Sequence, residues 1–273
     1  MARYDMPGRL KDEPDPLPDP VRIGVSDLHF ALAAGWRDFR RAPAFGLLFS
    51  AFYVLGGLAL VAVATAVGSD WWLIPFILGF PLIAPFAAVG LYEVSRRIEL
   101  GQELDWRSVS RIVIAQKDRQ IPSMAMVILL MFMFWVFVAH TIFAIFLGTA
   151  SLTNVTSSTA ILFQGRGLAM LAIGTLIGAG FALALFSFTV VGLPLLLDYE
   201  TDFVTAITTS IKAVRLNFGV LTIWGTVIAA LILAAILPAF LGLLIVLPVL
   251  GHATWHLYRR LMPDLERDQP WPV

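Results

Sequence analysis

The stretch "SDLHFALAAGWRDFRRAP", Ser26 to Pro43, stands immediately before the first long apolar run of the chain, and "TDFVTAITTSIKAVRLNF", Thr201 to Phe218, stands before a later one. A shift of 175 positions, Ser26 onto Thr201, lays one phrase on the other. Leu28 then falls on Phe203, Leu32 on Ile207, Trp36 on Ile211 and Phe39 on Val214. Asp27 falls on Asp202, and Arg37 and Arg40 fall on Lys212 and Arg215. Spacings of four, four and three place the apolar residues on one face of a helix. Ser26 or Asp27, and Thr201 or Asp202, offer the oxygen of an N-cap. A looser third copy opens at "LDWRSVSRIVI", with Asp105 as cap, Trp106, Val109 and Val113 as stripe, and Arg107 and Arg111 as basic face. Each copy leads into an apolar run a little over four helical turns after its Asp.

Composition sets the solvent of those runs. The chain has 273 residues, 59% hydrophobic and 14% charged, with a mean hydropathy of +0.83. A soluble domain is about a quarter charged, so this is the composition of a membrane protein. A span takes about 20 mostly apolar residues, and six segments qualify, near 44–67, 71–92, 122–148, 167–197, 218–237 and 239–258. The first two are separated only by "GSD" and the last two by a turn at Pro238, so each pair reads as a tight hairpin. The expected fold is therefore an all-α membrane protein: six transmembrane helices as three hairpins, each preceded by an amphipathic interfacial helix. The units run 26–98, 104–199 and 201–260, between tails at 1–25 and 261–273. Met1 to Pro20 is Pro-rich and acidic with no apolar h-region, which predicts a disordered tail rather than a signal peptide. Two spans per unit give successive units the same orientation, with an axis along the membrane normal.

Charge predicts which way the bundle faces. Of 19 Lys and Arg residues, only Arg166 falls on the side of the first, third and fifth connections. The rest share the side of both termini, which predicts cytoplasmic termini in a bacterial inner membrane. Arg37, Arg40, Arg41, Arg107, Arg111, Lys212 and Arg215 then set topology and meet anionic lipid headgroups. Trp71 and Trp72 would lie in the opposite aromatic belt. The connection "TASLTNVTSSTAILFQGR" is nearly uncharged and reads as a small soluble loop, its "NVT" sequon a chance match.

Candidate chemistry is sparse. There are no cysteines, which excludes disulfides, zinc–thiolate sites, iron–sulfur clusters, thiol nucleophiles and c-type haem attachment. A net charge of zero gives no case for nucleic acid. His252 and His256 share a helix face at a metal-binding spacing, but "HATWH" lacks the Glu of a zinc-protease helix. They are candidates for a cofactor site, read first as interfacial residues. His140 lies within the third span, where an ionisable residue is a functional candidate by default; a hydrogen bond across a helix interface is the plainer reading. Asp198, Glu200 and Asp202 gather at the end of the fourth span with Arg96, Arg97, Lys212 and Arg215 in reach, which predicts a salt-bridged collar between units or a gate. Pro85, Pro194 and Pro248 all fall in the last half of a second span, each followed by polar groups: Glu93, then Asp198 and Glu200, then His252 and His256. Kinks there could splay a vestibule, and Pro75 and Pro81 make the second span the most broken. No acidic or basic side chain lies deep in a span, where each costs about 2.5–3.5 kcal/mol. "GTLIG" at Gly174–Gly178, with Gly180 beyond it, is a small-residue face for close helix packing. The run "MVILLMFMFWVFV" reads as lipid-facing or core surface. No phosphate loop, nucleophile elbow or pair of catalytic carboxylates is present, and no metal or cofactor is expected.

Six spans, the Pro-rich acidic N-terminus and "ALAAGWRDFRRAP" before the first span resemble a family of bacterial six-span integral membrane proteins of unknown function. Some of its members carry a cytochrome c oxidase subunit label. The resemblance implies an inner-membrane protein and lends no active-site residues. A haem–copper catalytic subunit resembles a twelve-span protein with several histidines in its spans, and a chain with four histidines is not that subunit. Two expectations follow. One is a non-enzymatic scaffold, accessory or assembly subunit of a membrane complex, respiratory complexes among the candidates, with a membrane-protein partner or a second copy beside it. The other is a small-solute or lipid transporter or channel gated by the Pro-kinked helices.

Overall fold

The computed structural model describes residues 17–67, 74–147, 165–238 and 240–263; within α2 and α3 the side chains at 60, 61, 64, 65, 67 and 74–84 are not described. Trp71, Trp72, the sequon loop, most of both tails and the side chains of Pro75 and Pro81 lie outside this set. Among the described residues the chain is helical and has no strand. In order the helices are α1 (Val25–Arg41), α2 (Pro43–Val67), α3 (Ile74–Glu99), α4 (Trp106–Ala115), α5 (Ile121–Leu147), α6 (Gly165–Thr189), α7 (Gly192–Asp198), α8 (Phe203–Leu216), α9 (Phe218–Ile236) and α10 (Leu243–Leu261), with one short 3-10 turn at Gln116–Asp118.

Among the described residues, three helical stretches are long and apolar enough to cross a membrane: Ile121–Leu147, Gly165–Asp198 and Phe218–Ile236. A fourth span appears if α1 and α2, bent by 100° at Ala42, count as one. Only 17%, 6% and 17% of the respective apolar windows are buried. Ile145, Leu176 and Leu233 stand 71%, 74% and 67% exposed. Water would penalise such a surface and hydrocarbon would not, so the chain is an integral membrane protein. α10 is less apolar, because its second half carries His252, His256, Arg259 and Arg260, and that half is largely buried in protein.

Local chemistry explains the helix starts. Asp105 Oδ1 accepts from the Ser108 backbone N at 2.9 Å, and Asp202 Oδ1 accepts from Val204 N and Thr205 N, also at 2.9 Å. These are the caps expected from the sequence. α1 differs: Gly24 is its N-cap, and Asp27 lies inside the first turn, its Oδ2 accepting from Gly24 N at 2.9 Å. The aspartate still satisfies a free amide, from three residues downstream. The fourth apolar run is also broken, into α6 and α7, by a turn at Val190–Val191. Pro194 has no amide to give to the Val190 carbonyl, and the Val191 N, left out of the helix by the turn, donates to Ser210 Oγ on α8 at 3.1 Å.

The three short surface helices pack in a cycle. α1 lies on α10, α4 on α3, and α8 on α6 and α7, while α3, α7 and α10 meet in the middle. Each surface helix thus rests mainly on a helix outside the two long helices that follow it in the chain. The buried residues of α1 are Leu28, Ala31, Ala34, Gly35, Asp38 and Phe39. Moved by 175 positions, all but Leu28 land on the buried residues of α8, which are Ala206, Thr209, Ser210, Ala213 and Val214. The inward face is therefore built from small residues together with part of the expected stripe: Leu28, Phe39 and, on α8, Val214 are buried. Trp36 is 46% exposed and Trp106 is 42% exposed, the latter stacked on Phe45 at 3.8 Å between ring centroids. Small residues let the helix axes approach closely. A Cβ on Gly35 would lie 2.6 Å from both Ala253 N and Val249 O of α10.

The tight core gathers at the arginine-rich end of the bundle. Leu195, Leu197, Trp224, Trp255, Leu257 and Tyr258 are each no more than 1% exposed. The extended segment before α1 is tied to this end by Asn217: its Oδ1 accepts from Ile23 N at 2.9 Å and its Nδ2 donates to Val21 O at 3.0 Å. Val21 N also donates to Leu261 O at 2.9 Å.

Candidate functional site

Where α3, α7 and α10 converge, the ends of the three helices are joined by charge. Asp198, the last residue of α7, receives the Tyr258 hydroxyl at 3.0 Å and Arg259 Nη1 at 2.9 Å from α10. Arg96 Nε of α3 approaches its other oxygen at 3.4 Å. Arg259 Nε also lies 3.6 Å from Glu99 Oε1, and Trp255 Nε1 donates to Glu99 Oε2 at 3.1 Å. Beneath them the fully buried Glu93 accepts from Arg97 Nε at 2.7 Å and lies 3.5 Å from Arg96 Nη1. Arg97 Nη1 donates in turn to the Glu103 carbonyl at 3.0 Å. Ion pairs this enclosed hold geometry more than they add net stability, because desolvation offsets most of the attraction.

A second polar group runs from the edge of this hub into the interior. His256 Nε2 lies 2.6 Å from Asp38 Oδ2, Ser95 Oγ donates to the same oxygen at 2.9 Å, and His252 Nδ1 lies 2.8 Å from Ser95 Oγ. Asp38, Ser95 and His252 are all buried. The single hydroxyl hydrogen of Ser95 goes to Asp38, so His252 Nδ1 must carry the hydrogen it shares with Ser95. Nε2 of His252 is then the bare nitrogen, buried with no hydrogen-bond partner among the described residues. Burial works to raise the Asp38 pKa, but the bond to His256, its charge and the Ser95 hydroxyl outweigh it and hold the carboxyl below the usual range. The group contains Ser, His and Asp, yet the hydroxyl donates to the carboxylate and accepts from the imidazole. A serine nucleophile needs the reverse, an imidazole that takes its proton. As arranged, the group clasps α1, α3 and α10 together.

The other candidates fall as follows. Glu200 meets Arg119 Nη2 at 3.5 Å, and Lys212 meets Asp19 at 3.6 Å. Asp202 acts as a cap. Of the arginines expected beside Asp198, Arg96 reaches it. Arg259, Tyr258, Glu99, Asp38 and Ser95 complete the site without having been singled out in the sequence. Asp38 was legible in principle, as a carboxylate in register with Ala31, Ala34 and Gly35 on a helix face. His140 points outward on α5 with its Nδ1 2.8 Å from the Val136 carbonyl of its own helix. No cluster of three His, Asp or Glu suited to a metal occurs among the described residues.

Pro85, Pro194 and Pro248 are all buried. Of the three, only Pro85 lines a cavity of about 320 Å³ between the hairpins, whose walls include Tyr53, Leu91, Leu193 and Gly251. That cavity is apolar apart from Ser50, Thr189 and the Tyr53 hydroxyl. A second, polar basin of about 620 Å³ opens at the arginine-rich end between α1, α3 and α10, with Asp38 and His256 in its wall. Gly178 faces Trp135 across the α5–α6 contact, where an added Cβ would lie 2.9 Å from the indole, whereas Gly174 has open space before it.

The fold and its exposed apolar shafts define an all-helical integral membrane protein. Residues 73–198, which run from the start of α3 to the end of α7, match a family described as "Predicted integral membrane protein (DUF2189)". The chain is similar to that family over this stretch, and the description names no activity. No curated protein and no solved structure matches the chain.

Proposed function

We propose that the chain is a non-enzymatic scaffold, accessory or assembly subunit of a membrane complex, respiratory complexes included. It would be a six-span protein of three repeated units in a bacterial inner membrane, with both termini cytoplasmic. The observation that carries the reading is the hub at Asp198. The arginine-rich end of the bundle is closed by bonded charge, Trp255 and Tyr258, while the apolar shafts of α5, α6 and α9 remain uncovered for lipid or a partner. The threefold repeat is supported by the cyclic packing of α1, α4 and α8 and by the matched buried faces of α1 and α8. The orientation is supported by the gathering of Lys and Arg at one end.

Purification of the full chain in mild detergent, followed by mass spectrometry and an absorption spectrum, tests the role. A stoichiometric membrane-protein partner and no Soret band are expected; a haem band, or a chain that always purifies alone, overturns it. The absence of cysteine makes topology direct to measure. Ala2→Cys should react with an impermeant maleimide only after the membrane is opened, and Ser157→Cys should react from the periplasmic side of intact spheroplasts. A second reading, a small-solute or lipid transporter or channel, is favoured by the cavity beside Pro85 and Gly251. Movement of solute or lipid across proteoliposomes that Gly251→Leu abolishes would carry that reading instead.

A further inference from the structure

The polar basin has a charge balance that the fold does not explain. Its wall holds Arg22, Arg37, Arg41, Arg259 and Arg260 against three carboxylates, Asp27, Asp38 and Glu99. Each carboxylate is already engaged. Asp27 faces Arg260 at 3.7 Å and accepts from Gly24 N, and Asp38 holds His256 and Ser95. Glu99 holds Arg259 and Trp255. Arg22, Arg37 and Arg41 are left without a hydrogen bond or ion pair among the described residues. Three guanidinium groups lining one concavity repel each other unless an anion sits between them.

The walls are also held in place. Arg260 lies over the Phe30 ring at 4.1 Å, and Phe30 meets His256 edge-on. Arg22 is carried by the segment that Asn217 ties down. Arg37 and Arg41 stand one turn apart on α1, so their forks project from the same side. A guanidinium fork matches phosphate oxygens with two parallel hydrogen bonds. A volume of about 620 Å³ is within the usual range of ligand sites, about 300–1,000 Å³. Exposed Trp36 and Phe30 on α1 adjoin the arginines, the aromatic–basic mixture of a headgroup layer.

We propose that this basin binds the phosphate group of a phosphate ester through Arg22, Arg37 and Arg41, either as the headgroup of an anionic phospholipid or as a soluble ester. The site stands on the basin alone and holds under either functional reading above.

The test follows the intrinsic tryptophan fluorescence of the delipidated full chain during melting in neutral detergent, at constant ionic strength set with potassium chloride. The probes are short-chain phosphatidylglycerol, short-chain phosphatidylcholine and inorganic phosphate. A saturable rise in Tm with phosphatidylglycerol or inorganic phosphate, and none with phosphatidylcholine, is expected. Response to the lipid alone assigns the headgroup, and response to inorganic phosphate as well assigns a soluble ester. Arg37→Gln/Arg41→Gln should weaken the apparent affinity by at least about tenfold. Lys117→Gln/Arg166→Gln, which removes two exposed charges away from the basin, should leave it unchanged. Both arginines are exposed and unpaired, so the first pair should melt like the wild type before any probe is added. No saturable rise in the wild type overturns the proposal. Equal loss in the two double variants also overturns it, because the response would then be to surface charge.

Discussion

Gly35 shows how much a single position decides. The backbone of α10 passes so close that one added carbon meets both Ala253 N and Val249 O at 2.6 Å. Gly35→Ala must therefore lift α1 from its seat, and overpacking of this kind costs about 1–3 kcal/mol. Thermal melting in detergent should show the loss. Gly57→Ala, at a position with nothing within 4 Å, should show none, and alanine's higher helix propensity acts in its favour. Asp38 makes a prediction about acid. Its carboxyl is buried, yet His256 and Ser95 hold its pKa below the usual range. Its contribution is complete above the unfolded aspartate value of about 3.9. As pH falls from there through the lower folded value, the contribution is lost. The wild type should lose melting temperature along that acid limb, and Asp38→Asn, already less stable near neutrality, should lose less. Equal slopes for the two proteins would remove Asp38 from the account.

The surface helices are where sequence and structure agree most usefully and part most clearly. Their existence and extent were legible, because Asp105 and Asp202 are caps whose oxygens bond the next free amides. Replacing Asp202 by Ala should cost about 1 kcal/mol, seen as faster amide exchange at Val204 and Thr205 than in the wild type. Their burial was only partly legible from large residues. Leu28 and Phe39 of the expected stripe are buried while Trp36 is exposed, and the small Ala31, Ala34 and Gly35 fill the face between them, Gly35 against the backbone of α10. In hydrocarbon, a large apolar side chain gains little by turning inward, so close packing by small residues selects the inner face. The break between α6 and α7 was readable as a single proline, Pro194. What meets the break was not, because only the fold brings Ser210 to the Val191 amide that the turn leaves out of the helix.

At the scale of the whole molecule, the hub around Asp198 joins three helices, α3, α7 and α10, that are far apart in the chain. A carboxylate at the end of the fourth apolar run was visible in the sequence, and so was Arg96. Arg259 and Tyr258 were not, because nothing local links residues about 60 positions apart in sequence. Asp198→Asn removes the charge that Arg96 and Arg259 share, and breaking an enclosed pair costs about 3–5 kcal/mol. The upper half of that range assumes full burial, and Asp198 is 14% exposed, so about 3 kcal/mol is the expected loss in unfolding free energy. A variant that unfolds like the wild type would reduce the hub to surface charge. The cyclic seating of the surface helices also bears on how the molecule is made. α1 leaves the ribosome well before α10, the helix it rests on. The ring therefore cannot close until α10 has been made, and until then the carboxylate of Asp38 lacks its partner His256.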